Sequence, residues 1–299
     1  MGRATAVLSY TLSRVAFVAT HVVFAYWLNY LLNDPLNLGL VTLDAKPPLP
    51  AGQCEHFVVG NAVSNLLWFA LWWGTHSILA RKAVKQALGL WEHPLERPLF
   101  ATVAWVAWGL NVHTWRPVDT CAAPWDPLAV SPYVWAASGA VFAAGVVLIV
   151  GLLWSLPDHV FGTARYQYDQ GKRPHGDLIL RFPYGLVRHP AAAGFLWCYA
   201  VLPAWTVNHL FLAGLWITFI VVATGLEEGG LKGDDEFGQR YEAYRRSVAA
   251  FHPSWAALKN ILGIAPLKIV GSSGSKKKKS NGAAKEKEES ASSKKKKQP

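Results

Sequence analysis

Residues 188–228 decide how this chain folds, and they read RHPAAAGFLWCYAVLPAWTVNHLFLAGLWITFIVVATGLEE. The apolar part, residues 191–226, would measure about 54 Å as one straight helix with about 1.5 Å of rise per residue. The hydrocarbon core of a bilayer is only about 30 Å thick. Because the polar sequence TVNH at residues 206–209 interrupts the run, we predict a helical hairpin that returns Arg188-His189 and Glu227-Glu228 to one membrane face.

The composition is that of a membrane protein. Hydrophobic residues make up 52% of the chain and charged residues only 16%, with 15 tryptophans. Together with the repeated long apolar runs, this predicts several membrane spans. Most of the net positive charge lies in residues 271–299, which contain Gly, Ser, Lys and Glu without aromatics. We predict a disordered tail there, with membrane lipids as partners rather than nucleic acid.

Four further apolar runs precede the hairpin, at residues 15–32, 57–80, 99–115 and 133–156. With the two arms of the hairpin they predict an all-α, polytopic helical bundle of about six spans. Lysine and arginine are concentrated in the loops after the second, fourth and sixth spans. The positive-inside rule therefore predicts that both termini are cytosolic.

The chain is predicted to divide into four regions. They are a first span with a non-cytosolic loop (1–56), spans two to four (57–157), a ligand-binding region with the hairpin (158–253) and a basic tail (254–299). The last four residues, Lys296-Lys297-Gln298-Pro299, resemble the dilysine retrieval signal of endoplasmic-reticulum membrane proteins. On that signal we predict an integral membrane protein of the endoplasmic reticulum.

The three cysteines predict no metal site, because they are far apart and lack the spacing of metal ligands. Cys54 and Cys121 are expected on the same, non-cytosolic side. A disulfide between them and two free thiols are both open alternatives. Cys198 lies within the fifth span, where we expect it to pack in the core.

The two ends of the hairpin predict a binding site for a zwitterion. Pro190 suits the first turn of a helix, and free N–H groups there form an anion site beside Arg188. Glu227-Glu228 stand at a helix C-terminus, where the helix dipole disfavours negative charge, so we expect a cationic partner. A carboxylate at the helix start and an ammonium at the glutamates describe an amino acid, or a cofactor that carries one.

Beyond these residues, the region resembles a known family. Arg188-His189-Pro190, Gly194, Glu227-Glu228, Leu231, Phe237-Gly238, Tyr241, Tyr244, Val248 and Pro253 resemble the C-terminal signature of the membrane-embedded methyltransferases. This family includes isoprenylcysteine carboxyl methyltransferase and the phospholipid methyltransferases, and it binds S-adenosylmethionine in this region. The resemblance implies cofactor-binding roles for Arg188, His189, Pro190, Gly194, Glu227, Glu228 and Tyr184. It implies substrate-binding roles for Tyr241, Tyr244 and Arg245.

The N-terminal half narrows the resemblance. The stretch from Thr75-His76-Ser77 to Arg81, with Glu96-Arg97-Pro98 and Trp115-Arg116-Pro117, resembles the NnrU-like branch, which includes methanethiol S-methyltransferase. This implies methyl transfer from S-adenosylmethionine to a small thiol such as methanethiol, giving dimethyl sulfide, at the cytosolic membrane rim. A thiolate is the nucleophile in such a reaction, so His76 and Arg81 are the catalytic candidates. Ala192 departs from the family, which usually has tyrosine there, and could enlarge the pocket.

Three alternatives remain open at this point. One is methylation of a lipid or of an isoprenylcysteine carboxylate at the same site. The second is a non-catalytic membrane protein resembling nurim, and the third is a haem-dependent isomerase with His76, His113 and His189 as iron ligands. The intact pair Glu227-Glu228 favours the methyltransferase over the last two.

Overall fold

The computed structural model describes residues 3–44, 49, 52–91, 93–121, 131–155, 160–161, 178–201, 205–232 and 238–265. Its helices are α1 (Arg3–Leu31), α2 (Val59–Ala80), α3 (Lys82–Ala87), α4 (Glu96–His113), α5 (Pro132–Ser155), α6 (Pro190–Ala200), α7 (Val207–Lys232), α8 (Gly238–Ser247) and α9 (Trp255–Ile261). The all-α prediction is therefore confirmed for the part of the chain that is described. Of the predicted tail 254–299, residues 254–265 are described, and they include the helix α9. The predicted disorder of residues 271–299 and the prediction for Phe237 fall outside the described residues.

Three helices are long and apolar enough to cross a membrane, namely Ala4–Leu31, Pro132–Ser155 and Val207–Lys232. They support a membrane protein. The helix α2 has 22 residues, α4 has 18 and α6 only 11. At about 1.5 Å per residue, α6 covers about 16 Å, roughly half of a hydrocarbon core. Six spans and cytosolic termini therefore stay predictions.

The hairpin of α6 and α7 is present, with unequal arms. The helix α6 packs against α5 on one side and α7 on the other, while α1 and α2 both pack against α4. Aromatic rings join these layers: the Trp27 ring lies 5.5 Å from Trp108 and 5.7 Å from Tyr199, and Tyr199 stacks on Trp216 at 4.9 Å. Trp27 also donates a hydrogen bond to the Tyr199 hydroxyl at 2.8 Å. The core therefore lies where α1, α4, α6 and α7 meet.

Two glycines bring α5 and α6 into close contact. A Cβ on Gly194 would lie 2.6 Å from Cγ1 of Ile149 and 2.7 Å from the carbonyl oxygen of Gly145. A Cβ on Gly145 would likewise lie 2.7 Å from the carbonyl oxygen of Gly194. Small residues of this kind let membrane helices approach closely. Gly194 therefore serves helix packing.

Polar side chains fix the turn of the hairpin, where the sequence has its polar interruption. Thr206 caps α7, because its hydroxyl accepts from the His209 N–H at 3.0 Å. The Asn208 amide oxygen accepts from the N–H groups of Val118 (2.6 Å) and Asp119 (2.9 Å). The Asn208 amide nitrogen donates to Asp44 Oδ1 and to the Asp119 carbonyl, both at 2.9 Å. Asn208 is fully buried, so the turn is held by specific bonds.

The structure settles the alternatives for the cysteines. Cys54 and Cys121 form a disulfide, while Cys198 is a buried free thiol, as predicted. His56 and Asp119 lie near Cys121 in an arrangement that could hold a metal ion. The sulfur of Cys121 is bonded to Cys54, however, and only a free thiolate acts as a metal ligand.

Replacing Asn208 by alanine should destabilise the protein by about 2 kcal/mol or more. The change leaves two N–H groups and two oxygen acceptors without their buried partner. Thermal and denaturant unfolding in detergent would measure the loss. Asn61→Ala is the matched control, because the Asn61 side chain donates one bond, to Pro117 O at 2.8 Å, and we expect about 1 kcal/mol there. Equal losses in the two variants would contradict this account.

Candidate active site

The two ends of the hairpin meet in an ion pair between Arg188 and Glu228. Arg188 Nη2 lies 2.6 Å from Glu228 Oε1, and Arg188 Nε donates to the same oxygen at 3.1 Å. The side chains are only 8% and 14% exposed, so water screens the pair little. The ends of the hairpin therefore come together as its length and its polar interruption predict.

The remaining donors of Arg188 hold the segment after α8. Its Nη1 donates to the carbonyl oxygen of Arg245 at 3.0 Å and to that of Val248. The backbone N–H groups of Arg188 and His189 donate to the carbonyls of residues 249 and 250 at 2.9 and 3.2 Å. The guanidinium is thus occupied by the protein itself, whereas the sequence suggested that it would face an anionic ligand.

His189 completes the cluster that we call the charge clamp, formed by Arg188, His189 and Glu228. Its Nε2 lies 3.1 Å from Glu228 Oε1, and its Nδ1 lies 3.6 Å from Glu227 Oε2. Burial lowers the pKa of His189, but hydrogen bonds to Glu227 and Glu228 and their negative charges outweigh it, so the pKa is raised. The carboxylates therefore favour the imidazolium form.

The two adjacent glutamates have different surroundings. The Glu228 side chain is 14% exposed within the charge clamp, whereas that of Glu227 is 63% exposed. Glu227 also lines a cavity of about 550 Å³, an ordinary size for a small-molecule site. Glu227 is therefore the carboxylate that a ligand can reach.

The cavity runs between one face of α4 and one face of α7. The α4 residues are Arg97, Phe100, Ala101, Ala104, Trp105 and Trp108, and the α7 residues are Trp216, Phe219, Ile220, Ala223, Thr224 and Glu227. The first and last residues of each set are 11 positions apart, or about 16 Å along the helix. Arg97 and Glu227 are at one end of these sets. Trp108 and Trp216 are at the other end, where their rings lie 5.9 Å apart. The cavity therefore has a polar mouth and an aromatic floor.

Tyrosines surround the polar mouth. Burial and the charge of Glu227 raise the pKa of Tyr184 to about 12, with Arg97 acting in the opposite direction. Burial and the charge of Glu228 raise the pKa of Tyr241 to about 12. The Tyr244 hydroxyl donates to the carbonyl of Tyr184 at 2.6 Å. These hydroxyls stay protonated at neutral pH, and all three side chains line the cavity.

Arg97 is a lining residue that the sequence reasoning did not assign to the site. It makes no hydrogen bond or ion pair with any other residue in the described part of the chain. Its guanidinium is therefore available to an anionic group of a ligand. The signal was present in the sequence, because Arg97-Pro98 opens an apolar run just as Arg188-His189-Pro190 does.

His76 lies on the cavity wall among aromatic rings. Its ring centroid is 5.2 Å from that of Phe100, 5.6 Å from Trp72 and 5.9 Å from Phe219. Within the described residues its nitrogens have no hydrogen-bond partner. The structure therefore brings this catalytic candidate to the same cavity as Glu227 and His189.

Three predicted site residues lie elsewhere among the described residues. Gly194 packs against Ile149, for the steric reason given above. Arg245 points outward on α8 and pairs with Glu242 at 2.8 Å. Arg81 is exposed where α2 meets α3. By contrast Pro190 lines the cavity, and so does Ala192, the departure from the family pattern.

The arrangement of the histidines does not fit the iron site of the isomerase alternative. His113 lies at the far end of α4, 3.1 Å from the Tyr26 hydroxyl. Phe100, which contacts His76, lies 13 residues earlier on the same helix, or about 20 Å away. His76, His113 and His189 therefore do not converge on one iron.

Known proteins that are similar to this chain are methyltransferases. It is 28% identical to methanethiol S-methyltransferase 2 of Bradyrhizobium diazoefficiens over 258 residues, covering 80% of this chain and 87% of that protein. It is 27% identical to methanethiol S-methyltransferases of Pseudomonas deceptionensis (205 residues; 64% and 72% covered) and Mycobacterium tuberculosis (216 residues; 71% and 83%). The chain is a relative of the methanethiol S-methyltransferases.

These relatives confirm the predicted resemblance to membrane methyltransferases and are compatible with the NnrU-like branch. Their names support the prediction of an enzyme that transfers methyl groups. No family model matches the chain, and no solved structure matches it either. The relatives are bacterial, so they lend no support to the predicted endoplasmic-reticulum location.

Replacing Arg188 by alanine should destabilise the protein by about 3 kcal/mol. The change leaves the largely buried carboxylate of Glu228 without its strongest partner and frees two backbone carbonyls. Unfolding in detergent would measure the loss, with Arg245→Ala as the control. The Arg245–Glu242 pair is at the surface, where ion pairs contribute little, so this variant should unfold like the wild type. If Arg188→Ala unfolded like the wild type, the Arg188 side chain would not stabilise the fold through the charge clamp.

The contribution of His189 to stability should fall as pH rises. A raised pKa means that the folded state binds the proton more tightly than the unfolded state. The stabilisation is therefore complete below about pH 6.5, the ordinary value, and is lost as pH rises through the raised pKa. The difference in melting temperature between wild type and His189→Gln should shrink from pH 6 to pH 9. A constant difference over that range would argue against an imidazolium.

Proposed function

We propose that this protein transfers a methyl group from S-adenosylmethionine to a small thiol such as methanethiol at the cytosolic membrane rim. The observation that supports the proposal most is that the two adjacent glutamates have different surroundings. Glu228 is held in the charge clamp, and Glu227 is left facing a cavity that also contains His76. The similarity to methanethiol S-methyltransferases supports the same reading.

The residues at the polar mouth fit the methionine part of this cofactor, which is a zwitterion. The exposed carboxylate of Glu227 suits its ammonium group. Its carboxylate suits the start of α6, where Ala191 and Ala192 line the cavity and free N–H groups attract anions. Arg97 adds a positive charge there. In this proposal Arg188, His189 and Glu228 are positioning residues, because they fix the ends of α6 and α7.

When bound, S-adenosylmethionine would supply a methyl group carried on a sulfonium sulfur, and a thiolate would bond to the methyl carbon while the electron pair of the broken C–S bond stays on the sulfonium sulfur. The protein then has to hold the acceptor and remove its proton. His76 is placed to accept the thiol proton, since its nitrogens have no protein partner among the described residues and it lines the cavity. Tyr184 stays protonated, so its hydroxyl can hydrogen-bond a ligand but does not act as a base at neutral pH. The aromatic rings of Trp72, Phe100 and Phe219 surround this imidazole.

We also propose an endoplasmic-reticulum location for the protein and membrane lipids as its surroundings. The endoplasmic-reticulum location depends on the last four residues alone. Contact with membrane lipids follows from the three apolar helices, and an acceptor soluble in lipid would reach the cavity from the bilayer.

Replacing Glu227 by glutamine should weaken binding of S-adenosylmethionine by at least about tenfold, because a charge-assisted bond to the ammonium is lost. Calorimetry on purified protein would measure the affinity. Glu242→Gln, on the exposed face of α8, should bind like wild type. Unchanged affinity in folded Glu227→Gln would remove Glu227 from the site.

The acceptor is tested by incubating membranes with methyl-labelled S-adenosylmethionine and methanethiol. Label in headspace dimethyl sulfide is the expected result. Label found only in lipid or in a prenylcysteine ester would replace the thiol with one of those acceptors. Purified protein that binds no S-adenosylmethionine would favour the non-catalytic alternative.

A further inference from the structure

The aromatic floor of the cavity is larger than the methylation of a one-carbon thiol requires. We define it by Trp72, Trp108, Phe195, Trp216 and Phe219, which all line the cavity. Their rings form a continuous cluster: Trp72 lies 4.7 Å from Trp216, Phe195 5.5 Å from Trp216, and Trp216 5.8 Å from Phe219. A cluster of this size presents a hydrocarbon surface far larger than one methyl group.

The far end of the floor, at Trp108 and Trp216, also lies beyond the reach of a one-carbon thiol held at the mouth. Arg97 and Trp108 are 11 positions apart along α4. Trp216 and Glu227 are also 11 positions apart along α7. This corresponds to about 16 Å in each case. The walls between them include alanines, namely Ala101, Ala104 and Ala223. These small side chains leave width for a ligand between the two ends.

The polar atoms of the floor do not suit the cofactor. Phenylalanine rings offer no hydrogen bonds, and indole N–H groups are donors only. The Nε1 atom of Trp108 is buried without a partner in the described part of the chain, so it could meet one acceptor of a ligand but none of its donors. Adenine and ribose need both donors and acceptors, and burying them without partners costs free energy. The polar mouth therefore suits the cofactor, and the floor suits a hydrocarbon group.

His76 connects the floor to the reacting end. Trp72 and His76 are four residues apart on α2 and so share one helix face, with ring centroids 5.6 Å apart. A thiol whose sulfur lies at His76 would therefore place its hydrocarbon group on Trp72 and the rings behind it. An acceptor with one carbon would leave that surface uncovered.

We propose that the aromatic floor binds the hydrocarbon group of a larger acceptor, an alkyl or aryl thiol, and that methanethiol fills only part of the site. This inference rests on the proposed function and deepens it. The bonds made and broken are those already stated for a thiol, and the product is the corresponding methyl thioether. Ala104 is a specificity residue in this proposal, because it lies between mouth and floor.

The first test is a series of straight-chain thiols from methanethiol to 1-octanethiol, with phenylmethanethiol added, on the full-length protein in detergent. Each buried methylene should raise kcat/KM by about fourfold over the first few carbons. Binding of 1-hexanethiol without cofactor, followed by calorimetry, gives a readout that is independent of turnover. A flat or falling series, with no binding of 1-hexanethiol, would overturn the proposal.

The second test blocks the path to the floor. Ala104→Leu should lower kcat/KM for 1-hexanethiol by about 10-fold to 100-fold and leave methanethiol and the affinity for S-adenosylmethionine within about twofold. Ala70→Leu makes the same change on an exposed face of α2 and should have no effect. If Ala104→Leu does not fold, Ala223→Leu narrows the cavity from α7. Weaker cofactor binding in a folded variant would mean that the floor holds adenine, which overturns the proposal.

The two proposals fail in different ways. Methylation of methanethiol without methylation or binding of longer thiols would overturn the role of the floor and leave the proposed function intact. Failure to methylate any thiol, despite binding of S-adenosylmethionine, would overturn the proposed function as well. If Ala104→Leu lowered kcat/KM equally for all thiols, the substitution would disturb the whole site. That result would also overturn the role of Ala104 in selecting the acceptor.

Discussion

The ion pair between Arg188 and Glu228 is the interaction on which the rest of the site depends. It joins the start of α6 to the end of α7, which are 40 residues apart in the chain. Because each partner is mostly buried, removing one would leave an uncompensated charge. The same guanidinium holds the segment after α8, so one side chain positions three elements. With these ends fixed, Glu227 faces the cavity.

The opposite end of the hairpin is held by neutral and charged hydrogen bonds around Asn208. Buried amides that satisfy both N–H and carbonyl groups fix one arrangement, since any alternative leaves a polar group unpaired. The cavity lies between these two fixed ends. Its polar mouth suits a charged cofactor, and its aromatic floor suits an apolar acceptor. The separation follows from the opposite directions of α4 and α7.

Much of the site follows from the sequence, and several residues show where that reasoning stops. The hairpin follows from length and from the polar interruption at residues 206–209, because residues 191–226 exceed the thickness of a bilayer. Gly194 packs against Ile149 and is not among the residues that line the cavity, and a glycine in a motif does not reveal which neighbour it approaches. The orientation of α8 places Arg245 at the surface beside Glu242, which its position in the sequence did not show. Arg97 was not assigned to the site because its helix face was unknown.

The sequence by itself determined an all-helical membrane protein, its hairpin and the pairing of basic and acidic ends, because length, apolar content and charge are local properties. Only the tertiary structure decided which glutamate is buried. Glu227 and Glu228 are identical in type and adjacent, and they differ by about a quarter turn of helix. The position of Arg188 draws Glu228 into the charge clamp and leaves Glu227 for a ligand. The aromatic floor likewise exists only because α2, α4, α6 and α7 meet there.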